Sequence, residues 1–216
     1  MTTAVIVGRQ RPDLAERCLL SLGNCSLIPK TVFVVNGCDE TTKLVQRFPW
    51  VNVIVNEWNA GFWVGVNQAL ERIGLDEPFC YFGQDVVFDR NWLKPAENMF
   101  RAMNGAGLLT FKDGIQDGKN ASHGMSTRKW VYIIYGKPYF PSDQFTHFYL
   151  DSEFTQRSVD MGRYVYCEES LVMHKHEPSG HQLTCMGKDK EAESRRYQEW
   201  LDSAKAETQE RMLLIT

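Results

Sequence analysis

The sequence predicts one α/β domain with a mostly parallel, Rossmann-like central sheet, helices on both of its faces, and a C-terminal helix. Two observations carry this. Over the first hundred residues, short apolar runs (Ala4–Val7, Thr31–Val35, Val51–Asn56, Phe79–Phe82) alternate with stretches of helical periodicity. That is the order in which a strand, a crossover helix and a parallel strand follow one another. Ala4–Val7 and Phe79–Phe82 also read as fully buried strands, as a sheet covered on both faces requires.

The elements follow in order. After the first strand comes the polar loop Arg9-Gln10-Arg11-Pro12, and Asp13 opens a helix whose Leu14, Cys18, Leu19 and Leu22 share one face until Gly23-Asn24 ends it. Thr31–Val35 is the second strand, with Asn36-Gly37-Cys38-Asp39 as its turn. Helix Thr41–Phe48, strand Val51–Asn56 and helix Val64–Ile73 come next. The last of these turns Val66, Ala69, Leu70 and Ile73 inward and stops at Gly74. Phe79–Phe82 is the fourth strand, Asn91–Met103 a helix and Gly107–Phe111 a strand. Lys112–His123, rich in Gly, Asp and Asn and without periodicity, reads equally as a mobile lid or a surface excursion. Asp151–Met161 is a helix, Tyr164–Cys167 and Leu171–Met173 are strands, and His181–Lys188 is irregular. Residues 1–187 thus form one body. Residues 188–216 form a charged amphipathic helix, with Tyr197, Trp200, Leu201 and Ala204 on the face that packs on the body or on a partner in a homo-oligomer.

Composition narrows the function classes. At 216 residues, 43% hydrophobic and 24% charged, the chain has enough material for one sizeable core. A net charge of −3 gives no global positive field to gather nucleic acid or anionic lipid. The start, Met1-Thr2-Thr3-Ala4-Val5-Ile6-Val7-Gly8, reads as a strand and not a signal peptide, and no apolar run approaches the roughly 20 residues that span a bilayer. Six scattered cysteines without a CxxC pair suit buried thiols in a reducing compartment. The expectation is a cytoplasmic protein, in the host cytoplasm if virus-encoded.

Ligands of such sheets lie beyond the carboxyl ends of the strands. The loops Gly8–Arg11, Asn36–Asp39, Glu57–Gly61 and Gly83–Asp85 converge there. In the run Asn59-Ala60-Gly61-Phe62-Trp63-Val64-Gly65-Val66-Asn67, a strand feeds a glycine-broken turn that opens into a helix, a geometry that presents backbone N–H groups to an anion. Gly61 permits close backbone approach, and the amides of Asn59 and Asn67 can bond hydroxyls. A helix start with a capping Asn reads the same way. Aromatic side chains crowd the region, with Trp63 and Phe148 the candidates to touch a ligand.

From Ala4 to His176 the chain resembles the family-2 glycosyltransferases of the GT-A fold, particularly their small rhamnosyltransferase-like members. The matching pieces are Arg-Pro-Asp-Leu with Cys-Leu-Leu-Ser-Leu, Val-Asn-Gly after the second strand, and Asn59-Ala60-Gly61-Phe62 with Gly65 and Asn67. Then come Gln84-Asp85-Val86 with Trp92-Leu93, Asp151-Ser152-Glu153-Phe154 with Arg157 and Gly162-Arg163-Tyr164, and the terminal histidines. The resemblance implies a GT-A-like domain that transfers a sugar from a nucleotide-activated donor to a hydroxyl acceptor with inversion. It implies Asp151 as the catalytic base with Glu153 as its neighbouring acid. Asp85, with His174 or His176, would hold Mn²⁺ or Mg²⁺ on the donor diphosphate. Arg9, Asn36, Asp39, Asn59, Gly61, Phe62, Asn67 and Gln84 would form the donor site, and Trp63 and Phe148 the acceptor site.

Two positions depart from the pattern. Gly83 stands where the first acid of the Asp-x-Asp element is common, and Val35 where an Asp contacts the nucleotide base. They leave open a non-catalytic nucleotide-sugar binder. The acceptor class also stays open between a glycan, a lipid-linked sugar, a protein and a hydroxylated DNA base of the kind modified by virus-encoded transferases.

Overall fold

The computed structural model describes residues 1–143, 149–175, 191–192 and 194–201 of the chain. The chain runs β1 (Thr3–Gly8), α1 (Pro12–Gly23), β2 (Lys30–Asn36), α2 (Asp39–Val45), β3 (Val51–Asn56), α3 (Phe62–Leu70), β4 (Pro78–Gly83) and β5 (Val86–Phe88). It continues through α4 (Leu93–Ala102), β6 (Leu108–Lys112), β7 (Gly124–Thr127), α5 (Arg128–Tyr135), α6 (Leu150–Asp160) and β8 (Tyr164–His174). The strands form one sheet in the order β3-β2-β1-β4-β7-β6-β8-β5. β1, β2, β3 and β4 pair in parallel, whereas β7 runs antiparallel to both β4 and β6, β6 is parallel to β8, and β5 is antiparallel to β8.

Successive strand residues supply two cores, because side chains alternate between the faces of a sheet. Ala4 and Ile6 face Ala15, Cys18, Leu19 and Leu22 of α1 and Leu93, Ala96 and Phe100 of α4. Val5 and Val7 face Trp63, Val66 and Ala69 of α3, Trp130 and Ile134 of α5, and Leu150 and Phe154 of α6. The covered, mostly parallel sheet is therefore the predicted one. Gly65 lets α3 sit low on it: a Cβ there would lie 3.0 Å from Val7 Cγ1 and 3.3 Å from Val34 Cγ1. That approach sets the Asn59–Gly61 turn over the ends of β1 and β2.

The structure adds β5, β7 and α5 to the elements read from sequence, and it joins Tyr164–Cys167 and Leu171–Met173 into one strand, β8, with a register shift opposite Phe111 and Lys112. The Lys112–His123 segment is fastened along its length. Asp113 Oδ1 accepts from the backbone N–H groups of Ile115, Gln116 and Asp117 at 2.8, 2.7 and 3.2 Å, and the phenols of Tyr164 and Tyr81 donate to the carbonyls of Gly118 and Ala121 at 2.9 and 2.8 Å. These bonds support the reading as a fixed surface excursion. Of the predicted C-terminal helix, residues 194–201 are described and helical, with Tyr197 packed against the α3–α5–α6 core. The described cysteines are free thiols: Cys18, Cys25, Cys80 and Cys167 are buried, and Cys38 is half-buried.

Candidate active site

Asp85 and His174 meet where β4 and β8 end. His174 Nε2 lies 3.2 Å from Asp85 Oδ2, and the backbone N–H of Lys175 donates to the Asp85 carbonyl at 2.7 Å. Burial would raise the Asp85 pKa, but the hydrogen bond and charge of His174 outweigh it and hold the carboxyl below the usual carboxylate range. For His174, burial pulls the pKa down, and the Asp85 bond and charge more than restore it, so it is raised. Gly83 makes this arrangement possible. A Cβ there would stand 2.5 Å from Asp85 Oδ1, so the missing first acid leaves the space into which Asp85 turns.

Behind the pair lies His123, 5% exposed, its ring 4.6 Å from that of His174 and edge-on to it. Neither ring nitrogen of His123 has a hydrogen-bond partner among the described residues, and burial pushes its pKa down to about 4, keeping it neutral. His123 is a residue that sequence reasoning missed, because it immediately precedes β7, itself unread.

Asp151 opens α6. The preceding Tyr149 takes a left-handed conformation, φ 63°, costly for a bulky side chain, and its ring stacks on Tyr197 at 5.4 Å. The Asp151 carboxylate accepts from Asn120 Nδ2 at 2.8 Å. Its pKa is raised: burial dominates, partly offset by the Ser152 N–H, the Asn120 amide and the Ser122 hydroxyl. Glu153 faces the other way. Its Oε1 accepts from Arg157 Nε at 2.8 Å, both side chains are buried, and the guanidinium stands 5.6 Å from the Tyr135 ring and 5.0 Å from that of Trp200. This pairing makes Glu153 an internal anchor for α6.

The rim loops are knitted together by the predicted donor-site residues. Asn36 Nδ2 donates to the Gly61 carbonyl at 3.0 Å while its Oδ1 accepts from Asn56 at 2.8 Å, joining the β2 turn to the start of α3. Gln84 Nε2 donates to the carbonyls of Arg9 and Gln10 at 2.8 and 2.7 Å, joining the ends of β4 and β1. Asn67 exchanges hydrogen bonds with the backbone of Phe140, at 2.8 Å in each direction. These three side chains hold the rim's shape. Gly61 has φ 94°, Asn59 Oδ1 accepts from its N–H at 3.3 Å, and Phe62 is half-buried at the same turn. Arg9, Asp39 and Asn59 are exposed at the rim.

Trp63, expected at the acceptor, is instead core. It is 1% exposed, its ring lies 5.3 Å from Tyr81 and 4.6 Å from Phe140, and the first turn of α3 points it into the sheet. Trp63→Ala is expected to cost about 3–5 kcal/mol of stability, read as a lowered denaturant midpoint. A stable variant with a raised acceptor KM would return Trp63 to the binding surface. Phe148 and His176 lie outside the described residues.

No protein-family model matches the chain, and no curated protein does. Solved structures do. The structure of S. aureus TarS matches with a TM-score of 0.63 at 18% identity, over 82% of this chain and 37% of that one. The TarS 1–349 fragment matches at 0.57 and 17%, and the same fragment in complex with UDP at 0.56 and 17%, each over 82% of this chain and 59% of the fragment. The chain shares with these structures a single GT-A-like α/β fold. This chain spans less than two thirds of the length of these neighbours.

In the GT-A frame the described residues include no cluster of three or more His, Cys, Asp or Glu arranged to hold a metal ion. Asp85 and His174 offer two donor atoms. An aspartate oxygen and an imidazole nitrogen are donors that a divalent cation such as Mg²⁺ or Mn²⁺ can accept, but two of them do not make a pre-formed protein cage. Among the described residues no helix is long and apolar enough to cross a membrane.

Proposed function

We propose that this chain transfers a sugar from a nucleotide-activated donor to a hydroxyl acceptor and inverts the anomeric carbon, with Asp151 as general base. The observation that carries the reading is that one fixed loop, Lys112–His123, reaches both halves of the chemistry. Its Asn120 bonds Asp151, and its His123 packs on His174, the partner of Asp85. A neighbour of the same fold was solved in complex with UDP, which supports a nucleoside diphosphate leaving group.

Asp85 and His174 would hold a Mg²⁺ or Mn²⁺ ion, which when bound neutralises charge on the leaving diphosphate. The chain's own part is the base. Asp151 takes the acceptor proton as the hydroxyl oxygen attacks opposite the departing nucleotide. Arg9, Asp39, Asn59, Gly61 and Phe62 would face the donor, within a rim held by Asn36, Asn67 and Gln84. Tyr149 and Tyr197, stacked beside the start of α6, would offer aromatic rings to a sugar-bearing acceptor.

Only ionised Asp151 can act as base, so the rate is expected to rise with pH through a value above the ordinary carboxylate 3.8, in the direction burial shifts it. The test is a panel of nucleotide sugars, followed by titration for binding and by release of free nucleotide. Binding with release is expected. Gly83 motivates the second reading, a binder without turnover, and binding with no release over hours would establish it.

A further inference from the structure

We propose that Asn120 is the positioning residue of the Asp151 carboxylate, holding it in one orientation for proton transfer from the acceptor. This rests on the reading of Asp151 as the base. Asn120 Nδ2 donates to Asp151 Oδ2 at 2.8 Å and lies 3.3 Å from Ser152 Oγ. The other end of the same amide is fixed too. Thr155 Oγ1 lies 2.9 Å from Asn120 Oδ1 and 2.7 Å from the Asp151 carbonyl, a single hydroxyl proton serving two acceptors, and it accepts from the Ala121 N–H at 3.0 Å.

The consequence is an amide with no freedom to flip. If it turned over, Oδ1 would face the carboxylate and two acceptors would be left in contact, a buried mismatch that costs more than a lost bond. Asn120 thereby holds the Oδ2 side of the Asp151 carboxylate. The loop that carries Asn120 is itself held at Gly118 and Ala121 by the phenols of Tyr164 and Tyr81. The donor is therefore presented by a fixed support. Positioning of this kind is what converts a carboxylate into an efficient base, since a misplacement of about 1 Å can cost on the order of 10²-fold in rate.

The charged and titratable groups that bear on Asp151 leave the effect to its hydrogen-bond donors, the Ser152 N–H, the Asn120 amide and the Ser122 hydroxyl. The phenols of Tyr81 on β4, Tyr135 on α5 and Tyr197 on the C-terminal helix all have pKa values raised, first by burial and in part by the Asp151 charge, so they stay neutral near pH 7. Glu153 and Arg157 on α6 are paired with each other. An N–H that donates to a carboxylate favours its ionised form. Loss of that donor therefore moves the acid limb of the rate profile to higher pH.

The experiment compares the wild-type chain with Asn120→Leu and Asn120→Asp, reading nucleotide release across pH and donor affinity by titration. Asn120→Leu is expected to lose about ten- to a hundredfold in kcat near neutral pH, with the acid limb moved up and donor affinity unchanged. Asn120→Asp keeps the shape and the Thr155 contact, so it guards against misfolding of the first variant. It sets a second carboxylate against Asp151, and its acid limb is expected to move further up, because two adjacent carboxylates cannot both ionise freely. A wild-type rate and acid limb in both variants, with Asp151→Asn inactive, would overturn the positioning role alone. A fully active Asp151→Asn would instead remove the base on which the role depends.

Discussion

Asp151→Asn is expected to bind the donor with wild-type affinity and to release nucleotide about 10²- to 10⁴-fold more slowly, the range that a positioned general base supplies. The substitution leaves the surroundings in place. Asn at 151 still offers an oxygen to Asn120 Nδ2, and the Thr155 hydroxyl bonds the backbone carbonyl of residue 151, which the substitution leaves in place. The folded pKa of Asp151 is raised by burial, so its contribution to stability is fully present below the unfolded value near 3.8 and is lost as pH rises through the folded one. At neutral pH the variant should therefore melt at the wild-type temperature or above it. A slow but stable protein separates lost chemistry from lost fold. Wild-type turnover in this variant would remove the base assignment.

Asp85→Ala should behave differently, weakening donor affinity and turnover together, with kcat/KM down about 10²-fold or more. Asp85 carries the negative charge of the pair at the end of β4, and its loss removes the bond to His174 that raises that imidazole's pKa. His174 would then deprotonate at lower pH, without the partner that orients its ring. If Asp85 helps to hold a divalent cation, chelation should depress the wild-type rate strongly and that of Asp85→Ala little further. Equal sensitivity of the two proteins to chelation would separate Asp85 from the cation. Full wild-type activity after exhaustive chelation would remove the metal from the proposal.

The parallel half of the sheet was legible because its strands are apolar runs separated by helices of clear periodicity. β3 begins and ends where the sequence puts it, at Val51 and Asn56. β7 was not legible, since Gly124-Met125-Ser126-Thr127 carries a single large apolar residue. Its buried polar atoms are answered by backbone, with Ser126 Oγ donating to Gly107 O at 2.8 Å and Thr127 Oγ1 capping α5. β5 is three residues long, too short to show a period.

At the site, Asp85, His174 and Asp151 were named in advance through a family resemblance; the first two meet at the ends of β4 and β8, and the third meets the loop that follows β6. What sequence could not supply was direction. Asp151 and Glu153 look alike as letters, yet one reaches the Asn120 loop and the other turns inward to Arg157. Trp63 carried the same ambiguity, decided by Phe140, distant in sequence and 4.6 Å away in space. Asn120 lies in a loop without periodicity and meets a helix 31 residues on, a contact that no local pattern records.

The most direct test of a single displacement driven by Asp151 is the anomeric configuration of the product. A donor incubated with the wild-type chain, with acceptor or with water standing in for it, can be followed by NMR before mutarotation erases the answer. The account predicts the configuration opposite to that of the donor, at a rate that collapses in Asp151→Asn. A product that keeps the donor's configuration would contradict it.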